Sequence, residues 1–301
     1  MNLTLGWIVA TVSILAGYVG VALGAYNFEW DPEKAVNALK HLWQPFEYLI
    51  ILGSAFGAML ASNKKRVLVK VWYAIKKAFK PNQVSKETNL QLLGLMFTLL
   101  NKIKTRGLLA IEEDVENPQA SMVFKSYPMV LQDKRLLDFI TDYLRMMLAG
   151  SINVIQLESL MEQEIELDYE DALIPAEAVH TVADGLPAFG IVAAIMGVVL
   201  AMQSINEPTV GEKIATALVG TFLGVLLSYA FVTPVAKVLD QNAEVEMTPM
   251  AAVKAILVAY LNGYTPSGAV EFGRKVFYAD QRPSYDEVEQ TLRGLLHARG
   301  S

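Results

Sequence analysis

The chain has no cysteine among its 301 residues and only three histidines, His41, His180 and His297. Disulfides, thiolate metal sites and a cysteine nucleophile are thereby excluded, and histidines so far apart have no metal-ligand spacing. Charge is missing over long stretches. No ionisable residue lies between Asp184 and Glu207, and Ile214 to Ala236 is again free of charge. Leu3 to Phe28 and Tyr48 to Asn63 are uncharged as well, with Glu47 at the edge of the latter. Strand-like alternation is absent, so helix is the expected element throughout. No basic n-region precedes Leu3 and no A-x-A cleavage site follows, so the first apolar stretch is expected to remain on the chain.

Hydrophobic residues make up 53% of the sequence and charged ones 19%, and the two classes are segregated. The mean hydropathy is +0.33. The last two uncharged stretches each have the roughly 20 residues that cover about 30 Å of hydrocarbon, and with the two earlier ones they predict four membrane spans. Glu207 to Glu212 join the last two into a hairpin, which Pro187 opens and Pro234 closes. A proline leaves a helical carbonyl without its amide donor, which lipid tolerates only where protein or a water-filled path supplies another.

Lys64, Lys65, Arg66, Lys70, Lys76, Lys77 and Lys80 follow the second stretch with no acid among them. This basic collar predicts a cytoplasmic face there and both termini in the cytoplasm. The net charge of −6 then averages a basic collar with acidic helices. The expected fold is an all-α integral membrane protein. Spans one and two occupy residues 1–62, a helical cytoplasmic insert 63–183, spans three and four 184–236, and a cytoplasmic tail 237–301.

Within the insert, Val67 to Phe79 places Val67, Val71, Trp72, Ile75 and Phe79 on one face and lysines on the other, as for a helix on the inner membrane surface. Helical spacing of Leu92, Leu93, Met96, Leu99, Leu100 and Ile103 predicts a helix from Ser85 to about Glu113, ended by Asn117-Pro118. A second runs from Asp133 to Leu148 and stops near Gly150. A third, from about Val154, carries Glu158, Glu162, Glu164, Glu166, Asp168, Glu170 and Asp171, an acidic run of the kind that forms a solvated face.

Gly20/Gly24, Gly53/Gly57 and Gly220/Gly224 have GxxxG spacing, and Thr216, Gly220, Gly224 and Ser228 continue a small stripe along the fourth span. Such residues let helices approach closely, within one subunit or between subunits. Ala193, Ala194 and Gly197 give the third span a smooth face on which a moving helix would find little to catch. Proton relays are marked by intramembrane carboxylates, and neither of the last two spans has one. Thr221 and Ser228 offer hydroxyls, and Pro187 and Pro234 offer freed carbonyls, but if ions move, a partner must supply the carboxylate.

Several motifs are specific. They are Leu186-Pro-Ala-Phe-Gly-Ile-Val-Ala-Ala-Ile-Met-Gly-Val-Val199, Val219-Gly-Thr-Phe-Leu-Gly224, Glu116-Asn-Pro118 with Ser126-Tyr-Pro128, and Asn262-Gly-Tyr264 with Ala269-Val-Glu-Phe-Gly-Arg-Lys275. Through them the chain resembles, over essentially its whole length, the MotA/TolQ/ExbB family. The Asn-Gly-Tyr and Phe-Gly-Arg-Lys segments point to its flagellar stator branch, since the shorter energisers lack such a tail. The resemblance implies an inner-membrane ring of five subunits around two copies of MotB, whose membrane aspartate accepts the proton. Protonation would release the MotB helix from a pocket at Pro187, Ala194, Thr221 and Pro234, and the ring would step around it. No enzymatic activity, cofactor or nucleic-acid partner is implied, and membrane lipid is expected around the spans.

The family pushes the rotor protein FliG with an arginine and a glutamate eight residues apart. Glu112 stands at the glutamate position and Lys104, not arginine, at the other. Lysine keeps the charge without the planar fork, and Arg106 is a second candidate. On one helix, residues eight apart rise about 12 Å on a similar side. Sodium-driven relatives place a threonine in each of the last two spans. Here the third-span position looks like Ala193-Ala194, which leaves Thr221 alone, so H+ is expected over Na+. Thr221 could also cap a carbonyl of its own helix. The alternatives are a sodium-driven stator, an ExbB/TolQ-like energiser of another envelope machine, or a purely structural membrane scaffold.

Overall fold

The structure, a computed structural model, describes residues 2–24, 33, 36, 40, 42–79, 84–150 and 153–297. The expected outer segment from Asn27 to Gln44 lies largely, and Lys80 of the collar wholly, outside the described residues. The elements are α1 (Asn2–Gly24), α2 (Pro45–Ser62), α3 (Lys65–Ala78), α4 (Lys86–Arg106), a 3-10 turn (Leu108–Ile111), α5 (Glu112–Glu116), α6 (Met122–Lys125), α7 (Pro128–Gln132), α8 (Lys134–Leu148), α9 (Val154–Met202), α10 (Val210–Leu226), a π-turn (Leu227–Val232), α11 (Thr233–Leu261), α12 (Pro266–Val276) and α13 (Tyr285–His297). Among the described residues there is no strand.

The chain divides into two compact units, one of residues 1–81 and 173–241 and the other of 82–172 and 242–301. In the first unit, α2, α9 and α10–α11 contain stretches long and apolar enough to cross a membrane, and α1 has a shorter apolar stretch, Thr4–Gly20. Their outward faces are bare. Ile195, Leu200, Leu218 and Tyr229 are all more than half exposed, as expected of side chains that meet lipid or other protein rather than water.

Val71 of α3 is buried in a cluster with Ala176, Val179, Val235, Ala236 and Leu239, against which Val67, Ala74 and Ile75 also pack. Trp72 and Phe79, expected on the apolar face of this helix, are 58% and 48% exposed. Trp72 follows Val71 and is therefore turned about 100° around the helix from the packed stripe. Phe79, just past the helix end, keeps one ring contact, 5.7 Å to Trp7 of α1.

The second unit has a conventional core. Leu92, Leu93, Leu95, Met96, Leu99 and Leu100 of α4 are fully buried, which stabilises by about 1.5–3 kcal/mol per side chain. Ser85 caps α4 by accepting from the Thr88 amide at 3.2 Å. Asp133 does the same for α8 through Leu136, also at 3.2 Å. The segment Asp133–Leu148 thus folds as its periodicity predicts, and Gly150 follows with φ +70°.

The helix predicted from Ser85 to about Glu113 is shorter than its pattern. It stops at Arg106 because Gly107 takes φ +83°, a left-handed conformation that ends helices and suits glycine. A 3-10 turn and α5 follow, so Lys104 and Glu112 do not share a helix as their spacing suggested.

Candidate functional site

The uncharged hairpin is built from two antiparallel helices that touch through their backbones. A Cβ added to Gly190 would lie 2.8 Å from the Gly220 carbonyl and 3.0 Å from the Gly224 Cα. One added to Gly224 would lie 2.7 Å from the Leu186 carbonyl, and one on Gly197 would lie 2.6 Å from the Ala217 Cβ. The Gly220/Gly224 pair therefore serves packing within the subunit. Gly20, Gly53 and Gly57 have nothing within 4 Å, so the small faces on α1 and α2 are open. Ala193 and Ala194 are buried at 2% and 6% exposure, close to Gly220. The smooth face expected to slide past a partner is thus already covered by α10.

Pro187, Ala194 and Thr221 lie on the two facing helices of this hairpin. Leu186 lies beside Gly224 and Ala194 beside Gly220, next to Thr221. The same register sets Pro187 level with about Gly224. Pro234 lies ten residues further along, about 15 Å at helical rise. The two prolines therefore sit at different depths along the hairpin. The Thr221 hydroxyl is half-buried.

Sequence reasoning could name the carbonyls that the prolines orphan but not their new partners. Ser228, 1% exposed, donates its hydroxyl to the Ala183 carbonyl across the hairpin at 2.6 Å. Ahead of Pro234 the backbone widens into the π-turn, where the Thr233 amide bonds the Ser228 carbonyl. Below this, His180 Nε2 and Asp240 Oδ2 are 2.9 Å apart, and Lys237 Nζ is 3.5 Å from the same oxygen. That pair had no sequence signal, because its members lie 60 residues apart. At the linker end is a cavity of about 560 Å³ lined by Glu47, Glu207, Glu212, Lys213, Thr216 and Gly197, among others. Lys213 lies 2.8 Å from Glu207 and holds its carboxyl below the usual range by hydrogen bond and charge.

The candidate rotor-contact residues lie in the second unit. Lys104, Arg106 and Glu112 are all exposed, and none is ion-paired with another described residue. The bend that presents them is braced from behind. Lys102 Nζ is 2.6 Å from Asp114 Oδ2, and Ser121 donates to Asp114 Oδ1 at 2.6 Å. Arg145 bonds Glu116 at 3.1 Å and the Val115 carbonyl at 3.2 Å. Lys104 also lines a groove of about 550 Å³ with Asn101, Glu271, Tyr285, Glu289 and Arg293.

The specific soluble motifs are structural. Tyr127 shares a 2.9 Å hydrogen bond with Thr98 inside the core. Arg274, 8% exposed, bonds Glu271 at 2.9 Å and the Pro283 carbonyl at 3.2 Å. Tyr143 donates to Glu164 at 2.6 Å, and its burial, with that carboxylate, pushes its phenol up. Among the described residues there is no group of three metal-ligating side chains.

Comparison with known proteins gives a consistent answer. Residues 35–107 match the family described as Motility protein A N-terminal, and residues 133–252 match the MotA/TolQ/ExbB proton channel family. The chain is 41% identical to Motility protein A of Salmonella typhimurium, over 98% of this chain and 96% of that protein. It shares its fold with the MotAB structure from C. jejuni, at TM-score 0.69 and 20% identity, over 94% of this chain and 98% of that one. A flagellar MotAB stator complex from Bacillus subtilis matches at TM-score 0.64 and 19% identity, over 89% and 92% of the two chains.

Proposed function

This chain belongs to the MotA/TolQ/ExbB proton channel family, in its motility protein A branch, and acts as a stator subunit of the flagellar motor; we propose that it does so as a charge-free wall against which a partner's carboxylate is loaded and unloaded with protons. It is not an enzyme. One observation carries the reading. The hairpin of α9 and α10 is held together by glycine and alanine contacts, and it contains no acid or base between Asp184 and Glu207 or between Ile214 and Ala236. A proton crossing such a wall needs a titratable group from elsewhere, which a single-span MotB-type helix with a membrane aspartate would bring.

The four-span arrangement with both termini in the cytoplasm of the inner membrane is supported by the basic collar after α2 and by the apolar length of α1, α2 and the hairpin helices. In this orientation the cavity at Glu47, Glu207 and Glu212 faces outward. With three carboxylates against Lys213, it draws cations to the entrance. Pro187, Thr221 and Pro234, each partly buried, line the pathway at successive depths, and Ala194, covered by α10, backs it. The proton reading is supported by the lack of a hydroxyl at Ala193 and Ala194 beside Gly220 and Thr221, because sodium needs several oxygen ligands. Five copies around two MotB chains is the assembly that the family resemblance implies. Lys104, Arg106 and Glu112, unpaired on a braced bend, are the charges offered to FliG.

The test is proton flux in liposomes from complexes whose partner has lost its plug. Flux is expected to vanish when the partner's membrane aspartate becomes asparagine, and to be unchanged when sodium is replaced by potassium. Conduction by this subunit alone would refute the wall reading, and sodium-dependent flux would favour a sodium-driven stator.

A further inference from the structure

We propose that Ser228 is the positioning residue of the hairpin: its hydroxyl replaces the amide that Pro187 lacks and thereby ties the proline hinge of α9 to the π-turn after α10. In an α-helix the Ala183 carbonyl would accept from the amide of residue 187. That residue is proline and has no N–H. Ala183 and Ser228 are each 1% exposed, so water does not serve the carbonyl, and a bare carbonyl in apolar surroundings is costly. The Ser228 hydroxyl, 2.6 Å away on the other helix, fills the place.

Ser228 has a second bond that the hinge depends on. Its own carbonyl accepts the Thr233 amide five residues on, the bond that makes the turn a π-turn, and Pro234 follows at once. One residue therefore holds a hydrogen bond in each irregular segment of the hairpin. The chain solves the same problem differently at Pro249, where Thr248 donates to the orphaned Val245 carbonyl from within the same helix at 2.8 Å. That local donor satisfies a carbonyl without joining two helices. At Pro187 the residue in the equivalent place is Leu186, which cannot donate, so the bond must come from across the hairpin. The contact is possible because Gly224, one turn before Ser228, rests directly on Gly190 and the Leu186 carbonyl.

The consequence is mechanical: α9 cannot bend further or straighten at Pro187 without moving the π-turn or breaking this bond. The torque consequence rests on the stator reading above, whereas the hydrogen-bond exchange does not. A double-mutant cycle in the complex with its partner, reconstituted in nanodiscs, tests the hydrogen-bond exchange, and tethered cells carrying the same variants test torque. Ser228→Ala is expected to shift the unfolding equilibrium by about 5- to 150-fold, the effect of leaving a buried acceptor unsatisfied. In the Pro187→Ala background the new amide serves Ala183, and the same substitution is expected to cost less than about twofold. Ser228→Thr keeps the hydroxyl and should restore both stability and torque per assembled complex, while Ser228→Ala lowers torque. Ser228→Cys, a weaker donor of similar shape, carries the cycle if the alanine variant does not assemble.

Equal losses in the two backgrounds, or no loss in either, would overturn the proposal. If the stator reading itself were wrong, the unmodified complex would give no torque while the stability cycle would still show coupling.

Discussion

Replacing Gly190 by alanine places a methyl group 2.8 Å from the Gly220 carbonyl and 3.0 Å from the Gly224 Cα. Carbon atoms in ordinary contact sit about 3.5–4.0 Å apart, so the overlap is roughly half an ångström to one ångström at two points. Both obstructing groups are backbone. No rotamer change relieves them, and the two spans must part. Overpacking of this kind costs about 1–3 kcal/mol. Two backbone clashes at once put the cost near the upper end. Against it stands the gain of about 1 kcal/mol that alanine brings over glycine inside a helix. The net is a loss of about 2 kcal/mol, roughly thirtyfold in the folding equilibrium.

The assay is reversible unfolding of the intact complex in mild detergent, with Gly211→Ala as the control. Nothing lies within 4 Å of a Cβ at Gly211, so that change should be neutral or stabilising by up to about 1 kcal/mol. Unplugged flux should fall in Gly190→Ala, because the parted helices no longer present a continuous wall. If Gly190→Ala proved as stable as Gly211→Ala, the backbone contact would not be what holds the hairpin together.

Pro187→Ala and Pro234→Ala should assemble and unfold at higher temperature than the parent, since proline inside a helix costs about 3 kcal/mol relative to alanine. They should nonetheless fail to turn the motor in a tethered-cell assay, and normal torque in both would show that the bends are dispensable. Single reversals of Lys104, Arg106 or Glu112 should lower torque modestly, because exposed pairs are worth about 0–1 kcal/mol. Lys104→Glu with Arg106→Glu should lower it further and be partly rescued by reversing an acidic patch on FliG, with unplugged flux unchanged. Unaffected swimming in that double variant and in Glu112→Lys would place the rotor contact elsewhere.

At the start of α13, the Lys86 ammonium 2.8 Å away and the Ser284 amide 2.7 Å away hold the Glu287 carboxyl down to about 2. A depressed carboxyl contributes stability above its unfolded value of about 4.3, and the contribution fades as pH falls through about 2. Hydrogen exchange of residues 285–297 should thus accelerate on acidification more in the parent than in Glu287→Gln, and identical pH profiles would contradict the assignment.

The sequence alone determined the class of the molecule. Uncharged stretches of spanning length and a basic collar are one-dimensional signals, because the hydrophobic effect reads composition over a window and not a particular neighbour. The soluble helix Asp133–Leu148 was legible for a related reason: its cap, its period and its terminating glycine are all local. The identity of Pro187 even specified which carbonyl would be orphaned, since that follows from counting back four residues.

Tertiary structure decided everything that depends on a partner distant in the chain. Ser228 as the donor to Ala183, His180 beside Asp240, and the bracing of the Lys104–Glu112 bend by Asp114 and Arg145 each join residues whose separation carries no periodic trace. The smooth face at Ala193 and Ala194 shows the same limit. A small face looks identical in sequence whether it awaits a moving partner or is already covered, and only the packing of α10 against it decides. Gly107 marks the border between the two kinds of information. A glycine within an amphipathic pattern permits a left-handed turn without requiring one, and the choice fell to the core on either side, which separated Lys104 from Glu112 by ending the helix between them.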